Sequence, residues 1–450
     1  MNKNFQEIQK HLISSGFVMQ NSEIYGGISN TWDYGHLGSM MIRNIKDAWY
    51  KDFILCEENN YFIDSKILMN PKVWKASGHL DNFSDPLIEN KVNGKRYRAD
   101  NLISEINPEI NPEKMSNEEL EKYICENIKE YENDKTEWSK IKNFNLMFET
   151  YQGVVEEKKI PIYLRPETAQ GIFINFKNVL RTTRTKIPFG IGQIGKSFRN
   201  EVTPSNFIFR TREFEQMELE YFVKPNKDEE AYNEYVNKSF EFIQSLGVDK
   251  NNLKLKIHEK DELAHYSKGT TDIEYNFPFG WGELMGISNR TDFDLKKHQD
   301  HSQQSLEYLD PITNEKFIPY VIEPSVGVDR LMLAILCDAF VEEDNRIVLK
   351  INQSIAPYQF AILPLNKKIH SVVAKKVFKD LVRKGFKVVY DETGSIGKRY
   401  RRQDAIGTPY CITIIDDTEQ NQNVTIRYRD TMEQNDINLS ELGKVVYENK

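Results

Sequence analysis

The segment FRTREFEQMELEYF, residues 209–222, constrains the fold of this chain more than any other stretch, because its side chains alternate in character with a period of two. That period is typical of a β-strand, whose successive side chains point to opposite faces of a sheet. One predicted face carries Phe214, Gln216, Glu218 and Glu220. The other predicted face carries Glu215, Met217, Leu219 and Tyr221.

A partner strand is predicted just upstream, across a turn that includes Pro204, with Arg199 and Glu201 on one face. A hairpin face that combines Arg, Glu, Phe, Gln and Glu is costly to bury, because each charge needs a partner. One interpretation is a solvated sheet face held by cross-strand ion pairs. The other is a ligand platform, in which arginine binds a phosphate, phenylalanine stacks on a base and carboxylates bind an ammonium group.

A neighbouring segment, FGIGQIGKSFRNE at 189–201, matches the phosphate-loop spacing G-x-x-x-x-G-K-[ST] and also G-x-G-x-x-G. A phosphate loop needs a buried strand before it and a helix after it. Here the preceding residues, RTTRTKIP, are polar, and Pro204 follows too soon for a helix. An authentic phosphate loop is therefore not expected here, and a phosphate-loop NTPase with an RNA-binding tail remains the alternative.

Bulk composition indicates a multidomain protein outside the membrane. The chain has 450 residues, enough for two to four domains, with 39% hydrophobic and 28% charged residues. We find no apolar run long enough to span a membrane, and the first residues lack the apolar region of a secretion signal. The four cysteines are too dispersed for a C-x-x-C metal site or a disulfide scaffold. We therefore predict a cytoplasmic protein without membrane association.

The net charge of −8 excludes a globally basic nucleic-acid-binding surface, although the last hundred residues are mildly basic and the rest is acidic. Residues 39–54 have the apolar spacing of an amphipathic helix. Residues 101–140 are acidic, contain a capping box at Ser116 and Glu119, and are predicted to form a surface insertion. From about residue 355, strand and helix patterns alternate, which predicts a compact α/β domain with a junction near Pro357.

The segment PYVIEPSVGVDRLMLAILCDAF, at 319–340, predicts a strand, a glycine turn and an apolar helix. Arg330 lies in the first turn of that helix, where a cation opposes the helix dipole. A solvated arginine is the simple interpretation. An anion or nucleotide near this helix terminus would explain the arginine better.

These segments carry a resemblance to the class II aminoacyl-tRNA synthetases. FRNE with FRTREFEQMELEYF resembles motif 2 of that class, and EPSVGVDRLMLAIL resembles motif 3. Further strings are similar to the homodimeric type of glycyl-tRNA synthetase: VWKASGHLDNFSDPL, YRADNL, FNLMFET, LRPETAQGIFINF, DIEYNFPFGWGELMGISNRTDFDLKKH and GSIGKRYRRQDAIGTPY. The resemblance covers nearly the whole chain.

The resemblance implies an α+β fold. A class II catalytic domain, an antiparallel sheet flanked by helices, is expected over residues 1–355, with the acidic insertion at about 101–140. An α/β anticodon-binding domain is expected over 356–450. The helix at 39–54 resembles motif 1, which forms the dimer interface in this class, so a homodimer is expected.

The implied reaction has two steps. Glycine attacks the α-phosphate of ATP to give glycyl-adenylate and pyrophosphate, and the glycyl group then passes to the 3′ end of tRNA(Gly). Mg²⁺ is expected with the ATP phosphates. Many relatives carry a cysteine pair shortly before FNLMF, whereas this chain has NDKTEWSKIKN there, so we predict no zinc. A closed pocket can exclude amino acids larger than glycine by overlap, so no editing domain is expected.

Site residues are expected by match to the family motifs. Arg199 and Arg330 are expected to be catalytic, with Arg199 at the α-phosphate and the adenine sandwiched between Phe214 and Arg330. The expected ATP-binding residues are Arg199, Asn200, Glu201, Phe209, Arg210, Thr211, Arg212, Glu213, Phe214, Glu283, Leu284, Gly327, Val328, Asp329 and Arg330. Glu283 is also the expected Mg²⁺ ligand.

Glycine has no side chain to bind, so its ammonium group calls for clustered carboxylates, which the resemblance places at Glu167, Glu218 and Glu323. The expected glycine-binding residues are Arg98, Glu167, Phe214, Glu215, Gln216, Met217, Glu218, Arg290, Glu323, Pro324, Ser325, Val326 and Gly327. The expected tRNA-binding residues are Lys398, Arg399, Arg401 and Arg402. A non-catalytic relative that only binds tRNA is the second alternative, and it need not have kept this set.

Overall fold

The computed structural model describes residues 4–112, 115–153, 159–259, 263–264 and 266–448. Two residues of the predicted insertion, 113 and 114, and the last two residues of the predicted C-terminal domain lie outside these ranges. The α-helices are α1 (Phe5–Ser15), α2 (His36–Tyr50), α3 (Pro71–Ala76), α4 (His79–Asn82), α5 (Ala99–Ile106), α6 (Asn117–Asn127), α7 (Ala169–Phe173), α8 (Phe176–Thr183), α9 (Asp228–Ser245), α10 (Phe293–Ser302), α11 (Val328–Ala339), α12 (Lys367–Arg383), α13 (Ile396–Ala405), α14 (Thr418–Asn421) and α15 (Leu442–Glu448).

The strands are β1 (Val18–Gln20), β2 (Trp32–Tyr34), β3 (Asn60–Phe62), β4 (Ser84–Asn90), β5 (Lys95–Arg98), β6 (Glu130–Tyr131), β7 (Asp134–Lys135), β8 (Lys142–Asn145), β9 (Glu149–Gln152), β10 (Ile160–Tyr163), β11 (Phe189–Phe198), β12 (Glu213–Val223), β13 (Leu253–Ile257), β14 (Gly269–Phe277), β15 (Gly280–Thr291), β16 (Tyr308–Leu309), β17 (Lys316–Phe317), β18 (Tyr320–Gly327), β19 (Phe340–Glu343), β20 (Arg346–Leu349), β21 (Phe360–Pro364), β22 (Val388–Tyr390), β23 (Tyr410–Ile414), β24 (Asn423–Tyr428) and β25 (Gln434–Asn438).

A seven-stranded sheet in the order β13-β14-β15-β18-β12-β11-β3 forms the centre of the molecule. Its pairs are antiparallel, except that β3 joins the β11 edge in parallel. The longest strands are β15, β12 and β11, and β12 lies between β11 and β18. The expectation of an antiparallel sheet with flanking helices is confirmed.

The phosphate-loop spacing in 189–201 falls on strand β11, so this segment is not a phosphate loop. The glycines are needed because other groups cross the strand closely. A Cβ at Gly195 would lie 2.1 Å from Arg165 Nη2, and one at Gly190 would lie 2.4 Å from Asn60 Oδ1. Ser197 donates from its hydroxyl to Gln216 Oε1 at 2.7 Å. Packing within the sheet therefore accounts for the motif-like spacing.

The predicted hairpin exists, but its strands are shorter than expected. Strand β12 starts at Glu213, since the residues before it form a 3₁₀ turn at Phe207–Phe209. Strand β11 ends at Phe198, so Arg199 and Glu201 lie in the connecting loop and not on a strand face. The Arg199 amide still donates to the Arg212 carbonyl at 2.9 Å, which holds the loop above the strand ends.

The main hydrophobic core lies on one face of the central sheet, beneath α2, α9 and α11. Helix α2 buries Met41, Ile45 and Trp49, and α11 is buried along almost its whole length. The predicted amphipathic helix at 39–54 is therefore confirmed, with a start three residues earlier and a π-helical turn at Lys51–Leu55. The opposite face of the sheet is left open above β12, β15 and β18.

The acidic segment predicted as an insertion packs around a small core of its own. Helices α5 and α6 cover a sheet of order β5-β4-β8 around Ile88, Ile103, Ile124 and Trp138. The predicted capping box is present at the start of α6, where Ser116 and Glu119 exchange hydrogen bonds.

The C-terminal region contains a five-stranded sheet of order β22-β21-β23-β24-β25. Strands β22, β21 and β23 are parallel, and β24 and β25 join antiparallel. The predicted alternation of strands and helices is confirmed, with α12 ending before Gly385 in a left-handed conformation at φ 91°. Strand β25 was not predicted. The buried core of this sheet runs from Phe360 to Leu442, and the domain boundary at 355/356 stays a prediction.

Candidate active site

A cavity of about 380 Å³ opens on the free face of the central sheet, above β12, β15 and β18. Most of the residues predicted to bind substrates line it. Those that do are Glu167, Arg199, Glu201, Phe209, Arg210, Thr211, Phe214, Gln216, Glu218, Glu283, Leu284, Arg290, Glu323, Ser325, Gly327, Asp329 and Arg330. The hairpin and the first turn of α11 therefore converge on one cavity.

Strand register explains why these residues share one face. Gln216 pairs with Gly327 and Glu218 with Ser325 across β12 and β18, while Ser325 pairs with Gly286 on β15. Directly paired residues point to the same face of a sheet. Alternate positions on three neighbouring strands therefore form the cavity floor.

At one end, Arg199 lies over Phe214. The Arg199 guanidinium carbon is 5.3 Å from the centre of the Phe214 ring, and Nε donates to the Pro166 carbonyl at 3.0 Å. The cation–ring contact and the hydrogen bond fix the guanidinium at the cavity wall. A fixed guanidinium there can bind a phosphate in a bidentate manner.

Arg330, in the first turn of α11, lies on the same cavity and is held from two sides. Its Nε donates to the Phe209 carbonyl at 3.1 Å, and its guanidinium carbon lies 4.5 Å from the centre of the Phe209 ring. Its Nη1 contacts the Glu283 carboxylate at 3.1 Å. Burial opposes ionisation of Glu283, but Arg330, Arg199 and His258 together hold the pKa of that carboxyl below its usual value.

Asp329 couples the start of α11 to strand β12. Its carboxylate accepts a hydrogen bond from the Glu215 amide at 2.9 Å and another from the Tyr34 hydroxyl. Burial raises the pKa of Asp329, and these two hydrogen bonds partly offset it. Asp329 therefore aligns the helix terminus with the Phe214 edge of the cavity.

At the other end lie three carboxylates, of which Glu218 and Glu323 are buried and Glu167 is partly buried. Glu218 accepts a hydrogen bond from the Thr168 hydroxyl, and Glu323 accepts one from Arg290 Nη1 at 2.8 Å. Glu167 accepts from Gln170 Nε2 at 2.9 Å and lies 3.5 Å from His79 Nε2.

These carboxyls do not titrate alike. Burial raises the pKa of Glu218, and the Glu167 charge raises it further. Burial also raises the pKa of Glu323, to about 8, although Arg290 opposes the shift. Burial acts in the same sense on Glu167, but His79, Arg290 and Gln170 outweigh it and lower its pKa. Glu167 is therefore the most firmly ionised of the three.

Arg290 is the cation at the centre of this group and is 4% exposed. Besides Glu323, it binds Asp294 at 2.7 Å through Nε and at 2.9 Å through Nη2. The Tyr266 ring lies 4.1 Å from its guanidinium carbon. Burial opposes the charge, yet Asp294 and Glu323 together hold the pKa of Arg290 well above its usual value.

Some predicted residues do not line the cavity. Among the expected ATP-binding residues these are Asn200, Arg212, Glu213 and Val328, and among the expected glycine-binding residues Arg98, Glu215, Met217, Pro324 and Val326. Met217, Val326 and Val328 are in the core, because they take the opposite face of the sheet or the inner side of α11. Glu215 pairs with Lys46 at 3.0 Å, also on the opposite face.

Arg98, which was expected to bind glycine, does not line the cavity because it is engaged by two carboxylates. It pairs with Asp85 at 3.3 Å and with Asp100 at 2.5 Å, on the insertion side of the cavity. The charge of Arg98 lowers the pKa of Asp85, and the charge of Glu201, which lines the cavity, raises it. Arg98 therefore lies close to the cavity margin. Its glycine-binding role stays a prediction.

Several lining residues were not predicted: Ile208, His258, Ala264, Tyr266, Thr270, Asp272, Gly286 and Ser288. Five of these come from β14 and its neighbours, where His258 Nε2 contacts Asp272 Oδ2 at 2.6 Å. The period-two spacing of Thr270 with Asp272, and of Gly286 with Ser288, was the signal that could have found them.

The predicted tRNA-binding residues of α13 separate into two kinds. Arg399 is buried and donates to the Pro364 carbonyl at 2.7 Å, and Arg402 pairs with Asp391 at 2.6 Å. Both contacts stabilise the domain, but Arg402 stays exposed. Lys398 and Arg401 are exposed as well, and tRNA binding by these four residues stays a prediction.

The cysteines are dispersed, with Cys56 exposed and Cys337 and Cys411 buried. Within the part of the chain that the structure describes, no grouping of potential metal ligands includes a cysteine or histidine. The absence of zinc stays a prediction. In the described ranges, no helix combines the length and apolar character needed to cross a membrane.

Two protein-family models match the chain. Residues 150–338 match the tRNA synthetase class II core domain (G, H, P, S and T), and residues 359–449 match an anticodon binding domain. The first match contains most of the cavity residues, and the second covers the C-terminal sheet.

Curated relatives match over nearly the full length. The chain is 57% identical over 450 residues to the glycine–tRNA ligase of Mycoplasmopsis synoviae, covering 99% of this chain and 100% of that protein. It is 53% identical to the enzyme of that name from Mesoplasma florum, covering 97% and 98%. It is 54% identical to that of Staphylococcus aureus, covering 95% of each chain.

Among solved structures, the prolyl-tRNA synthetase of Cryptosporidium parvum, in complex with halofuginone and AMPPNP, superimposes with a TM-score of 0.64. The match covers 98% of this chain and 75% of that chain, at 15% sequence identity. At that identity the likeness concerns the fold alone.

Proposed function

The chain belongs to the glycine–tRNA ligase family of class II aminoacyl-tRNA synthetases, and we propose that the cavity above the central sheet is its glycine-activating site. The ligase joins glycine to tRNA(Gly) with ATP as the second substrate. One observation carries the proposal: a single cavity has Arg199, Phe214 and Arg330 at one end and three glutamates, two of them buried, at the other. The first set suits an adenylate and the second an ammonium group.

ATP occupies the Arg199 end in this proposal. Its adenine stacks between the Phe214 ring and the Arg330 guanidinium, because a flat ring suits π-stacking on one face and a planar cation on the other. Arg330 is already oriented by Phe209 and Glu283. Arg199 contacts the α-phosphate and neutralises the charge that develops during glycine attack.

The cavity also fits the Mg²⁺ that accompanies ATP. Carboxylate oxygens are the ligands that this ion prefers, together with phosphate oxygens and water. Glu283 and Glu201 supply such oxygens at the Arg199 end. In this proposal they hold Mg²⁺, which supplies charge neutralisation at the phosphates.

Glycine occupies the carboxylate end. Its ammonium group is bound by Glu218, Glu323 and Glu167, and Ser325 lies beside them on β18. Arg290, paired with both Asp294 and Glu323, is a fixed wall of this end of the cavity. In this proposal alanine and larger amino acids are excluded by overlap with such fixed walls.

Catalysis in this arrangement is mainly positioning. The glycine carboxylate is directed at the α-phosphorus, with pyrophosphate as the leaving group, and no residue is needed as a covalent nucleophile. Both substrates are anionic at the reacting centre, so fixed cations lower the barrier by offsetting charge repulsion. The ribose hydroxyl of the terminal tRNA nucleotide then attacks the glycyl carbonyl and releases AMP.

Glycine-dependent exchange of pyrophosphate into ATP tests the proposal, with alanine and serine in parallel. We expect exchange with glycine alone. Exchange that is equally fast with alanine would contradict the closed pocket. ATP hydrolysis without any amino acid would favour an NTPase.

We further propose that the protein acts as a homodimer. Ile24, Tyr25 and Ile28 form an exposed apolar loop, with exposed fractions of 88%, 87% and 54%. Contiguous apolar exposure of this kind is typical of a protein interface. Sedimentation velocity tests the assembly, and a monomer at micromolar concentration would overturn it.

A cytoplasmic location and the absence of zinc complete the proposal. The structure shows the cysteines as thiols, which suits a reducing compartment. Metal analysis of the purified protein would test the second point.

A further inference from the structure

Glu220 is a buried acid that the mechanism above does not use. Its side chain is 0% exposed, and among the described residues no N–H or O–H group of another residue donates a hydrogen bond to either carboxylate oxygen. The register that pairs Glu218 with Ser325 and Tyr221 with Ile322 places Glu220 opposite Glu323. Glu220 therefore lies next to Glu218 and Glu323, two of the carboxylates of the proposed ammonium site.

The charged groups that face Glu220 are few. Glu218 is on its own strand, Glu323 is on β18, and carboxylate oxygens of all three lie within 4.8 Å of one another. On its other side, β11 presents Ile191, which is fully buried. Arg290 on β15 is the nearby cation, but its Nε and Nη2 are engaged by Asp294 and its Nη1 by Glu323.

Three ionised carboxylates at this spacing in a dry environment repel each other strongly, so at least one of them holds a proton. The hydrogen bonds decide which one. Thr168 donates to Glu218 and Arg290 donates to Glu323, and both contacts favour an ionised acceptor. No such donor reaches Glu220 within the described ranges.

We propose that Glu220 is a neutral carboxylic acid that donates its proton in a hydrogen bond to Glu323, and so favours the ionised form of the Glu323 carboxylate and orients it toward the glycine ammonium. Glu220 is then a positioning residue that does not touch the substrate. This inference rests on the proposed glycine pocket.

Electrostatics support the same arrangement. Burial raises the pKa of Glu220 well above its usual value, and the charge of Glu323 raises it further. In the opposite sense, the hydrogen bond from Glu220 lowers the pKa of Glu323. A proton on Glu220 therefore offsets part of the repulsion that would otherwise neutralise Glu323.

Two substitutions separate the possible roles. Glu220→Gln keeps an N–H donor toward Glu323, and we expect the glycine KM to stay within about threefold, as for exchange of one buried hydrogen bond for another. Glu220→Leu keeps the volume but removes the donor, and we expect the glycine KM to rise about 10- to 100-fold, with the KM for ATP unchanged. Equal losses in both variants would mean that Glu220 acts as a charge, and no loss in either would mean that it has no role; both results overturn the proposal.

A spectroscopic measurement gives a result independent of activity and of the folding of the leucine variant. The infrared difference spectrum of wild type minus Glu220→Gln at pH 7 should show the C=O stretching band of a protonated carboxylic acid. Its absence would overturn the proposal.

Glu218→Ala serves as the control for the pocket itself. If that variant leaves the glycine KM unchanged, the proposed pocket fails. If it raises the glycine KM while Glu220→Leu does not, only the role of Glu220 fails.

Discussion

Arg290 donates from Nη1 to the Glu323 carboxylate at 2.8 Å, and the two side chains are 4% and 9% exposed. The same guanidinium binds both carboxylate oxygens of Asp294, four residues along the chain. One planar cation thus joins the end of β15, the start of α10 and the middle of β18. The carboxylate end of the cavity depends on this junction.

Arg290→Lys should weaken the junction, because a lysine ammonium cannot make three directed hydrogen bonds in the plane of a guanidinium. Loss of one partner of a buried charge network typically costs about 3–5 kcal/mol. We expect a lower urea midpoint in the unfolding transition that tryptophan fluorescence reports, together with a large loss of glycine-dependent exchange.

Arg43→Lys is the matched control, since Arg43 and Asp47 are 83% and 73% exposed and lie 4.0 Å apart. Exposed pairs contribute about 0–1 kcal/mol, so this midpoint should hardly move. Equal shifts in the two variants would show that Arg290 does not organise the site.

Glu218→Ala should raise the glycine KM about 10- to 100-fold, because it removes a charge-assisted hydrogen bond to the ammonium group. The KM for ATP should change less than about twofold. Steady-state exchange kinetics at varied glycine and varied ATP measure the two constants separately. Glu230→Gln, at an exposed position of α9 where the carboxylate pairs with Lys227, should change neither.

Arg330→Lys should affect the other substrate. Lysine keeps the charge but loses the flat surface that the adenine would stack on and the Nε contact to the Phe209 carbonyl. We expect the KM for ATP to rise about 10-fold, on the scale of one lost stacking contact, with the glycine KM nearly unchanged. Arg181→Lys, at an exposed position on α8, is the control. A larger effect on glycine than on ATP would contradict the assigned ends of the cavity.

Strand β12 could be predicted from the sequence because its period of two is local information. The same is true of α2 and of the C-terminal strands and helices, whose apolar spacing and terminal glycine are visible in short windows. The position of Arg290 beside Glu323 could not be predicted from residue patterns. It depends on β15 pairing with β18, two strands that are distant in sequence, and only the family resemblance suggested it.

Other details depend on contacts between distant segments. Arg98 pairs with Asp85 and Asp100 at the cavity margin, and its role in glycine binding stays a prediction. Glu220 was visible on the polar face of the strand, yet no sequence pattern shows that it has no donor. Arg399 is buried against the Pro364 carbonyl because α13 packs on β21, and its role in RNA binding stays a prediction.

Stability should depend on pH through the carboxylate cluster. The pKa values of Glu218, Glu220 and Glu323 are raised in the folded state, so this state binds more protons than the unfolded chain. Their contribution to the free energy of unfolding is fully present below about pH 4.5, which is the pKa of a glutamate in the unfolded chain. It is lost as the pH rises through the pKa values of the folded state, about 8 for Glu323.

Glu220→Gln removes one of these groups, so the variant should gain stability relative to wild type as the pH rises from 5.5 to 7.5. The difference in free energy of unfolding between variant and wild type should grow by up to about 1.4 kcal/mol per pH unit. Melting temperatures at pH 5.5, 6.5 and 7.5 measure it. Glu213→Gln corrects for the loss of one exposed acid. A difference that stays constant with pH would show that Glu220 is ionised throughout.

Binding of tRNA should depend on the exposed cations of α13. Lys398→Glu and Arg401→Glu, tested singly, should weaken tRNA(Gly) aminoacylation and leave glycine-dependent exchange unchanged, because the exchange reaction does not use tRNA. Phosphate contacts make such binding sensitive to salt, so the difference from wild type should be largest at low ionic strength and should shrink as the ionic strength rises. Lys10→Glu makes the same charge change on α1, at an exposed position of the first helix, and should leave charging intact. If all three variants charge tRNA equally well, the C-terminal sheet binds its RNA through another face, since Arg399 and Arg402 are already engaged by Pro364 and Asp391.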